Sequence, residues 1–203
     1  MMISVYQLKH YFQSVLRPLT RLLATRGITA NQVTVSAILL SLFSGMTIVA
    51  WSSQGWPLLL LPVVLLVRMA LNAIDGLLAR EYHMQSPLGA ILNELGDVIA
   101  DAALYLPFAW LPAVYAPLPV LIVLLAVIGE MMGVVGVQIG ASRRYDGPLG
   151  KSDRAVAFGL LGFLLGSGVL PGSWCNVVFS ILLLLAAWTI VNRARGALLE
   201  LKS

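Results

Sequence analysis

Charged residues are scarce in this sequence: Asp, Glu, Lys and Arg make up only 11% of its 203 residues. A soluble globular domain carries about 25% charged residues, so the composition excludes that class. Hydrophobic residues reach 59%, and a helix of about 20 apolar residues is long enough to cross a bilayer. The composition is therefore that of an integral membrane protein, whose length is better divided into membrane spans than into soluble domains.

Cysteine is almost absent as well, since Cys175 is the single one. One thiol excludes an intrachain disulfide framework and a cysteine-based zinc site. We also expect no cleavable signal peptide, because basic residues interrupt the N-terminal region before any long uncharged core.

Six apolar stretches are long enough to span a membrane, and they lie at roughly residues 33–51, 57–80, 88–110, 117–139, 154–171 and 175–193. Turn-forming residues separate them. We predict an all-α integral membrane fold in which residues 1–203 form one domain and residues 33–193 form a bundle of six transmembrane helices.

Lys and Arg are confined almost entirely to one end of each predicted span. They precede the first span, occur again at 143–154 and follow the last span, whereas the connections at 52–56, 111–117 and 171–174 carry no charge. By the positive-inside rule, both termini are therefore cytoplasmic. The net charge of +4 reflects this topology, and we expect no nucleic-acid partner.

Residues 4–26 have a different pattern. Apolar residues such as Leu8 and Phe12 recur at helical spacing opposite polar residues such as Lys9. The pattern predicts an N-terminal amphipathic helix on the cytoplasmic membrane surface, with a break at Pro18. The alternative is a basic flank without a defined helix.

Polar residues interrupt the second and third spans, where acids are expensive to keep at membrane depth. At 100° per residue, one narrow face of span 2 carries Arg68, Asn72, Asp75, Gly76 and Ala79. On span 3 one arc carries Asn93, Glu94, Asp97 and Asp101.

Facing acidic stripes repel each other unless a cation lies between them, and their oxygen ligands suit Mg²⁺, Mn²⁺ or Ca²⁺ rather than zinc. Two alternatives stay open at this point. The residues could form interhelical hydrogen bonds that hold spans 2 and 3 together, or they could serve a transporter or proton relay.

The same segment carries a motif, which reads Asn72-x₂-Asp75-Gly76-x₂-Ala79-Arg80-x₈-Gly89-x₃-Asn93-x₃-Asp97. With every spacing kept, it resembles the signature of the CDP-alcohol phosphotransferase (CDP-alcohol phosphatidyltransferase) family, which has Asp at the first and third acidic positions. Asn31-x-x-Thr34 resembles a shorter family element. The six spans and the amphipathic N-terminal helix also resemble that family, particularly its bacterial inner-membrane members.

The resemblance implies a metal-dependent enzyme of phospholipid biosynthesis. Such an enzyme transfers a phosphatidyl group from CDP-diacylglycerol to a polar alcohol, releases CMP and uses one or two Mg²⁺ or Mn²⁺ ions. Carried over residue by residue, it makes Asp75 a metal ligand and Asp97 both a metal ligand and the general base. The CDP pocket would comprise Asn31, Gly76, Ala79, Arg80 and Gly89.

Two departures from the family pattern affect the metal site. Asn72 and Asn93 replace aspartates that bind metal in the family, and an amide oxygen can coordinate Mg²⁺ but brings no negative charge. We expect Glu94 and Asp101 to supply the missing charge. The alternatives are a single-metal enzyme or a catalytically weakened relative that still binds CDP-lipid.

A basic, turn-rich segment lies at residues 142–154. Arg143, Lys151 and Arg154 could hold a phosphate of the acceptor or of the lipid, or they could set topology and meet anionic lipid head groups. Glu130 either pairs with Arg68 or lines the acceptor pocket.

We therefore expect an enzyme of the bacterial inner membrane whose active site and termini are cytoplasmic. Its partners would be CDP-diacylglycerol, a polar alcohol, membrane lipids and a second copy in a homodimer. A cation-coupled membrane transporter is the rival class. The acceptor is left open, since glycerol phosphate, inositol phosphate and serine fit the sequence equally well.

Overall fold

The computed structural model describes residues 5–112, 114–169 and 172–202, with side chains from residue 12 onward apart from Gly172 and Ser173. Within those residues all regular structure is helical, which confirms the all-α expectation. The helices are α1 Val5–Thr25, α2 Ala30–Ala50, α3 Trp56–Glu81, α4 Pro87–Tyr105 with a following 3₁₀ segment Leu106–Trp110, α5 Pro117–Gln138, α6 Lys151–Gly166 and α7 Gly172–Glu200.

Four of the described helices are long and apolar enough to cross a membrane: α2, α3, α5 and the Trp174–Glu200 part of α7. Their outer surfaces keep large apolar side chains exposed, for example Phe43 at 68% and Leu184 at 71%. An extended apolar surface of this kind is consistent with insertion into a membrane.

The other two predicted spans correspond to helices that differ from these four. Helix α4 contains Glu94, Asp97 and Asp101 within 19 residues. Helix α6 has 16 residues, and at about 1.5 Å per residue it is shorter than the roughly 30 Å of bilayer hydrocarbon. Six membrane spans therefore remain a prediction.

Helix α1 is continuous from Val5 to Thr25 and contains Pro18, so the predicted break at this proline is wrong. Proline removes one backbone hydrogen bond of a helix, but packing on both sides of it keeps this helix in one piece. Leu16 and Leu23 of α1 pack against the buried cluster that contains Ile74 and Leu78 of α3. Membrane contact by α1 stays a prediction.

The chain forms two compact units, one from residues 1–42 and 64–100, the other from residues 43–63 and 101–203. Helices α2, α3 and α4 each contribute residues to both units. The single domain predicted for residues 1–203 also stays a prediction.

In the first unit, α2 and α4 approach closely at a glycine. A Cβ atom at Gly96 would lie 2.6 Å from Cδ1 of Ile38. Glycine has no side chain, so α4 can approach α2 closely at Gly96. This close approach lets the polar residues at the start of α4 lie near α2.

The second unit has an aromatic core. The rings of Tyr105 and Phe158 stack with centroids 4.1 Å apart, and Phe108 meets Phe158 edge-on at 5.2 Å. Phe179 of α7 completes the cluster, and all four rings are fully buried. These contacts join the end of α4 to α6 and α7.

Backbone contact between α3 and α6 predicts a sensitive position at Gly166. A Cβ atom there would lie 2.7 Å from the carbonyl oxygen of Gly55 and 3.0 Å from the amide nitrogen of Leu59. We expect Gly166→Ala to force the two helices apart and to cost about 1–3 kcal/mol, measured as a lower Tm of the detergent-solubilised protein.

Gly129→Ala is the matched control, because its Cβ would meet no atom closer than 3.8 Å. This change should leave the Tm nearly unchanged. Equal Tm values for the two variants would contradict the close α3–α6 contact.

Candidate functional site

Asp75 lies on α3 in the first unit and is almost fully buried. Its Oδ2 accepts a hydrogen bond of 2.8 Å from the Thr34 hydroxyl of α2. A buried carboxylate is costly unless it is hydrogen-bonded, so Thr34 helps to keep Asp75 inside. The sequence singled out Thr34 only through its spacing from Asn31, without assigning it this contact.

Asp97 on α4 is held by two residues of α3. Asn72 donates from Nδ2 to Asp97 Oδ1 at 3.1 Å. Arg68, also buried, donates from Nη2 to the Asp97 backbone carbonyl at 3.1 Å and lies 3.8 Å from Oδ1. Arg68 and Asn72 are one turn apart on the face that the helical spacing predicted, and together they orient the Asp97 carboxylate.

Arg80 folds back over Gly76 on the same helix. Its Nη2 lies 3.2 Å from the position that a Cβ atom of Gly76 would take. The glycine therefore leaves room beside a guanidinium, which is a donor group suited to phosphate oxygens.

Asn31, Ser86 and Gly89 meet at the start of α4. Ser86 Oγ accepts the Gly89 amide hydrogen at 2.9 Å and receives a donation from Asn31 Nδ2 at 3.4 Å. A Cβ atom at Gly89 would lie 2.7 Å from Asn31 Oδ1. Ser86 was not predicted as a site residue from the sequence, although a serine directly before Pro87 is typical of the start of a helix.

The remaining signature positions are less enclosed. Asn93 is exposed, and both Glu94 and Ala79 are half-buried. Among the residues that the structure describes, no three His, Cys, Asp or Glu side chains gather as a metal-binding group. The acids of the signature therefore do not form a carboxylate-rich cage by themselves.

A second polar cluster occupies the second unit and centres on Arg154 of α6, which is 3% exposed. Its Nε and Nη2 donate to Oδ2 of Asp101 at 3.0 and 2.8 Å. Nη2 also donates to Oε1 of Glu130 at 2.9 Å, and Nη1 donates to the Leu149 carbonyl at 3.2 Å. Arg154 thus bridges an acid of α4 and an acid of α5.

Glu130 has two further arginine partners. Arg193 of α7 lies 3.4 Å from Oε2, and Arg143 of the α5–α6 connection lies 3.5 Å from the same oxygen. From the sequence, Arg68 was considered as a partner of Glu130. Arg193 was interpreted only as one of the basic residues that set the orientation of the chain in the membrane. The Arg193 guanidinium also lies near Gly129 and Gly133, since its Nη1 is 3.9 and 3.8 Å from the positions that Cβ atoms would take there.

Near the surface of this unit, Arg144 forms two hydrogen bonds of 2.7 and 2.9 Å with the Asp146 carboxylate and one of 2.7 Å with Glu200. The bonds from Arg144 hold the pKa of Asp146 below its usual range. This contact contributes stability at neutral pH, which is lost as the pH falls through the lowered pKa. The contribution is small, since Asp146 is 42% exposed.

Lys151, the third predicted phosphate ligand, is half-buried at the first position of α6. It shares the second unit with Arg143 and Arg154. The structure therefore places the three predicted acceptor residues in one unit and the signature positions through Asp97 in the other.

Comparison with known proteins identifies the family. Residues 27–192 match the family described as CDP-alcohol phosphatidyltransferase. The chain belongs to the CDP-alcohol phosphatidyltransferase family. The resemblance inferred from the signature at residues 72–97 is thereby confirmed, and the chain is a transferase-family membrane protein.

A curated relative is named as an inner membrane protein. The chain is 46% identical over 196 residues to the inner membrane protein YnbA of Escherichia coli strain K12, and the match covers 97% of each.

Solved structures of a phosphatidylinositol phosphate synthase share the fold. The phosphatidylinositol phosphate synthase PgsA1 of Mycobacterium tuberculosis, with CDP-DAG bound, matches with a TM-score of 0.76, 19% identity and coverage of 91% of this chain and 94% of PgsA1. The complex of PgsA1 with manganese and citrate also matches with a TM-score of 0.76 and 19% identity, covering 90% of this chain and 88% of PgsA1. At this identity the likeness establishes the fold.

The Arg154 bridge generates a stability prediction. Arg154→Gln would leave Asp101 and Glu130 buried with less compensating charge, and breaking a buried ion pair costs about 3–5 kcal/mol. We expect a large fall in Tm in detergent.

Arg144→Gln provides the control, because it removes exposed ion pairs that are worth about 0–1 kcal/mol. A similar, small effect of both substitutions would show that the buried bridge does not stabilise the second unit.

Proposed function

We propose that this chain is an integral membrane enzyme that transfers a phosphatidyl group from CDP-diacylglycerol to a polar alcohol in phospholipid biosynthesis. The observation that carries the proposal is the cluster in which Arg68 and Asn72 orient Asp97, the last aspartate of the family signature. The CDP-DAG bound in PgsA1 supports the same lipid donor.

The proposed metal ligands are Asp75, Asp97, Asn72 and Asn93, which would hold one or two Mg²⁺ or Mn²⁺ ions. Carboxylate and amide oxygens are the donors that such hard cations prefer, and the manganese complex of PgsA1 supports a divalent ion. When bound, the metal would neutralise charge that develops on the pyrophosphate oxygens.

Glu94 is the better candidate for restoring the charge that the two asparagines lack. Asp101, the other acid predicted for this role, already accepts two hydrogen bonds from Arg154. We therefore propose that Glu94 binds the metal directly or through its first water shell. Asp101 is the less favoured candidate for this role.

The CDP moiety is proposed to lie against Gly76, Ala79 and Arg80 on one side and Asn31 and Gly89 on the other. Arg80 offers guanidinium donors, and Asn31 of α2 lies beside the start of α4, where backbone N–H groups favour an anion. The tight contact of Asn31 with Gly89 explains why a side chain at position 89 would disturb this pocket.

In the proposed reaction, the acceptor hydroxyl attacks the phosphorus that carries diacylglycerol. A new oxygen–phosphorus bond forms, the bond from that phosphorus to the oxygen of CMP breaks, and CMP leaves with the bonding electrons. Asp97 receives the hydroxyl proton. Arg68 and Asn72 position its carboxylate, and proximity to the substrate supplies much of the remaining rate enhancement.

We also propose that the chain forms a single domain with six membrane spans, that α1 lies on the membrane surface, and that two copies form a homodimer. The proposed location is a bacterial inner membrane, with the termini and the active site on the cytoplasmic side. The uncharged connections support this orientation. Arg143, Lys151 and Arg154 are proposed to lie on the acceptor side.

Asp97→Asn tests the base directly. A general base typically contributes about 10²–10⁴-fold to a rate, so CMP release from CDP-diacylglycerol should fall by at least about a hundredfold. Chelation with EDTA should also stop release by the wild-type protein, and added Mg²⁺ or Mn²⁺ should restore it.

Asp146→Asn is the matched control and should retain activity. Full activity of Asp97→Asn would overturn the assignment of the base. CDP-diacylglycerol binding without CMP release would identify a weakened relative, and solute flux across sealed vesicles without CMP release would identify a transporter.

Topology can be tested by labelling single cysteines in a Cys175→Ala background. Ser53 and Ser152 are exposed, and both become cysteine with little change in size. We expect a membrane-impermeant maleimide to label Ser53→Cys from the periplasmic face and Ser152→Cys from the cytoplasmic face. Labelling of both from one face would reject the six-span arrangement.

A further inference from the structure

We infer that the acceptor alcohol carries no phosphate group, because the carboxylate of Glu130 already occupies the anion site that three arginines form. The inference rests on the proposed function and specifies its second substrate as an unphosphorylated polyol or amino alcohol.

The three arginines come from different elements and converge on one acid. Arg154 of α6 lies 2.9 Å from Glu130, Arg193 of α7 lies 3.4 Å away and Arg143 of the α5–α6 connection lies 3.5 Å away. Guanidinium groups gathered in this way form a typical phosphate site. Here the anion at the centre belongs to the protein.

All three guanidinium nitrogens of each buried arginine already donate to protein oxygens. Each nitrogen of Arg154 donates to Asp101, Glu130 or the Leu149 carbonyl. Each nitrogen of Arg193 donates to Glu130 or to the carbonyl of Gly129 or Asp146. A phosphate would therefore compete with these protein oxygens for the guanidinium nitrogens.

Displacement of Glu130 by phosphate is unfavourable in two ways. It would leave a carboxylate that is only 14% exposed without its cations, and it would bring a phosphate next to the negative charge of Asp101. Arg143 is the least enclosed of the three arginines, at 21% exposure of its side chain, and could offer a phosphate only a contact at the edge. A neutral hydroxyl-bearing acceptor requires no displacement.

One acid of the cluster lies on the same helix as the proposed base. Asp101 follows Asp97, the proposed base, by one turn of the same helix. The link between the cluster and the acceptor is the acceptor-side role that is proposed for Arg143 and Arg154.

The test compares phosphorylated and unphosphorylated acceptors with the wild-type protein in lipid nanodiscs that contain CDP-diacylglycerol and Mg²⁺. One pair is glycerol and glycerol 3-phosphate. A second pair is a bacterial small-molecule extract before and after treatment with immobilised alkaline phosphatase. CMP is measured, and mass spectrometry counts the phosphorus atoms of the lipid product.

We expect glycerol to exceed glycerol 3-phosphate by at least about tenfold, the phosphatase-treated extract to stay active, and the product to contain one phosphorus. Loss of activity on phosphatase treatment, or a product with two phosphorus atoms, would overturn the inference and leave the proposed function standing. No CMP release under any condition would overturn the proposed function and the inference with it.

A binding experiment tests the site without catalysis. Glu130→Ala should open the anion site, so that inorganic phosphate raises the Tm of this variant by about 2–4 °C, while the wild-type Tm stays constant. Glu200→Ala is the control, because Arg144 keeps its contacts with Asp146. Phosphate stabilisation of the wild-type protein would contradict the inference, and the acceptor comparison decides it if Glu130→Ala fails to fold.

Discussion

A charged side chain inside an apolar helix must find a partner, and this constraint organises both units of the protein. In the first unit Arg68 and Asn72 of α3 hold Asp97 of α4, and Thr34 of α2 holds Asp75. In the second unit Arg154 joins acids of α4 and α5. The polar contacts determine which helix faces meet, and the apolar residues around them shield these contacts from the surroundings.

The asparagine at position 72 shows how this constraint bears on chemistry. An aspartate there would face Asp97 with like charge and would need a cation between the two. The amide of Asn72 instead donates directly to Asp97 and helps to orient its carboxylate. The substitution removes one negative charge from the proposed metal site and in exchange preorganises the proposed base.

Helical spacing predicted much of this arrangement, because the period of a helix determines which residues share a face. It placed Arg68, Asn72 and Asp75 together, and the matched motif spacing identified the family. The partners of Glu130 could not be derived in this way, since Arg143, Arg154 and Arg193 are far apart in sequence and meet only through tertiary packing. The break at Pro18 was wrong because local propensity gave way to the contacts of Leu16 and Leu23 with α3.

The central claim is that this chain makes a phosphatidyl-linked lipid with Asp97 as the base. Mass spectrometry of total lipids would test it most directly in cells that express the wild-type chain, the Asp97→Asn variant or neither. The account predicts a phospholipid that accumulates only with the wild-type chain. The same lipid profile in all three strains, or accumulation with Asp97→Asn as well, would contradict it.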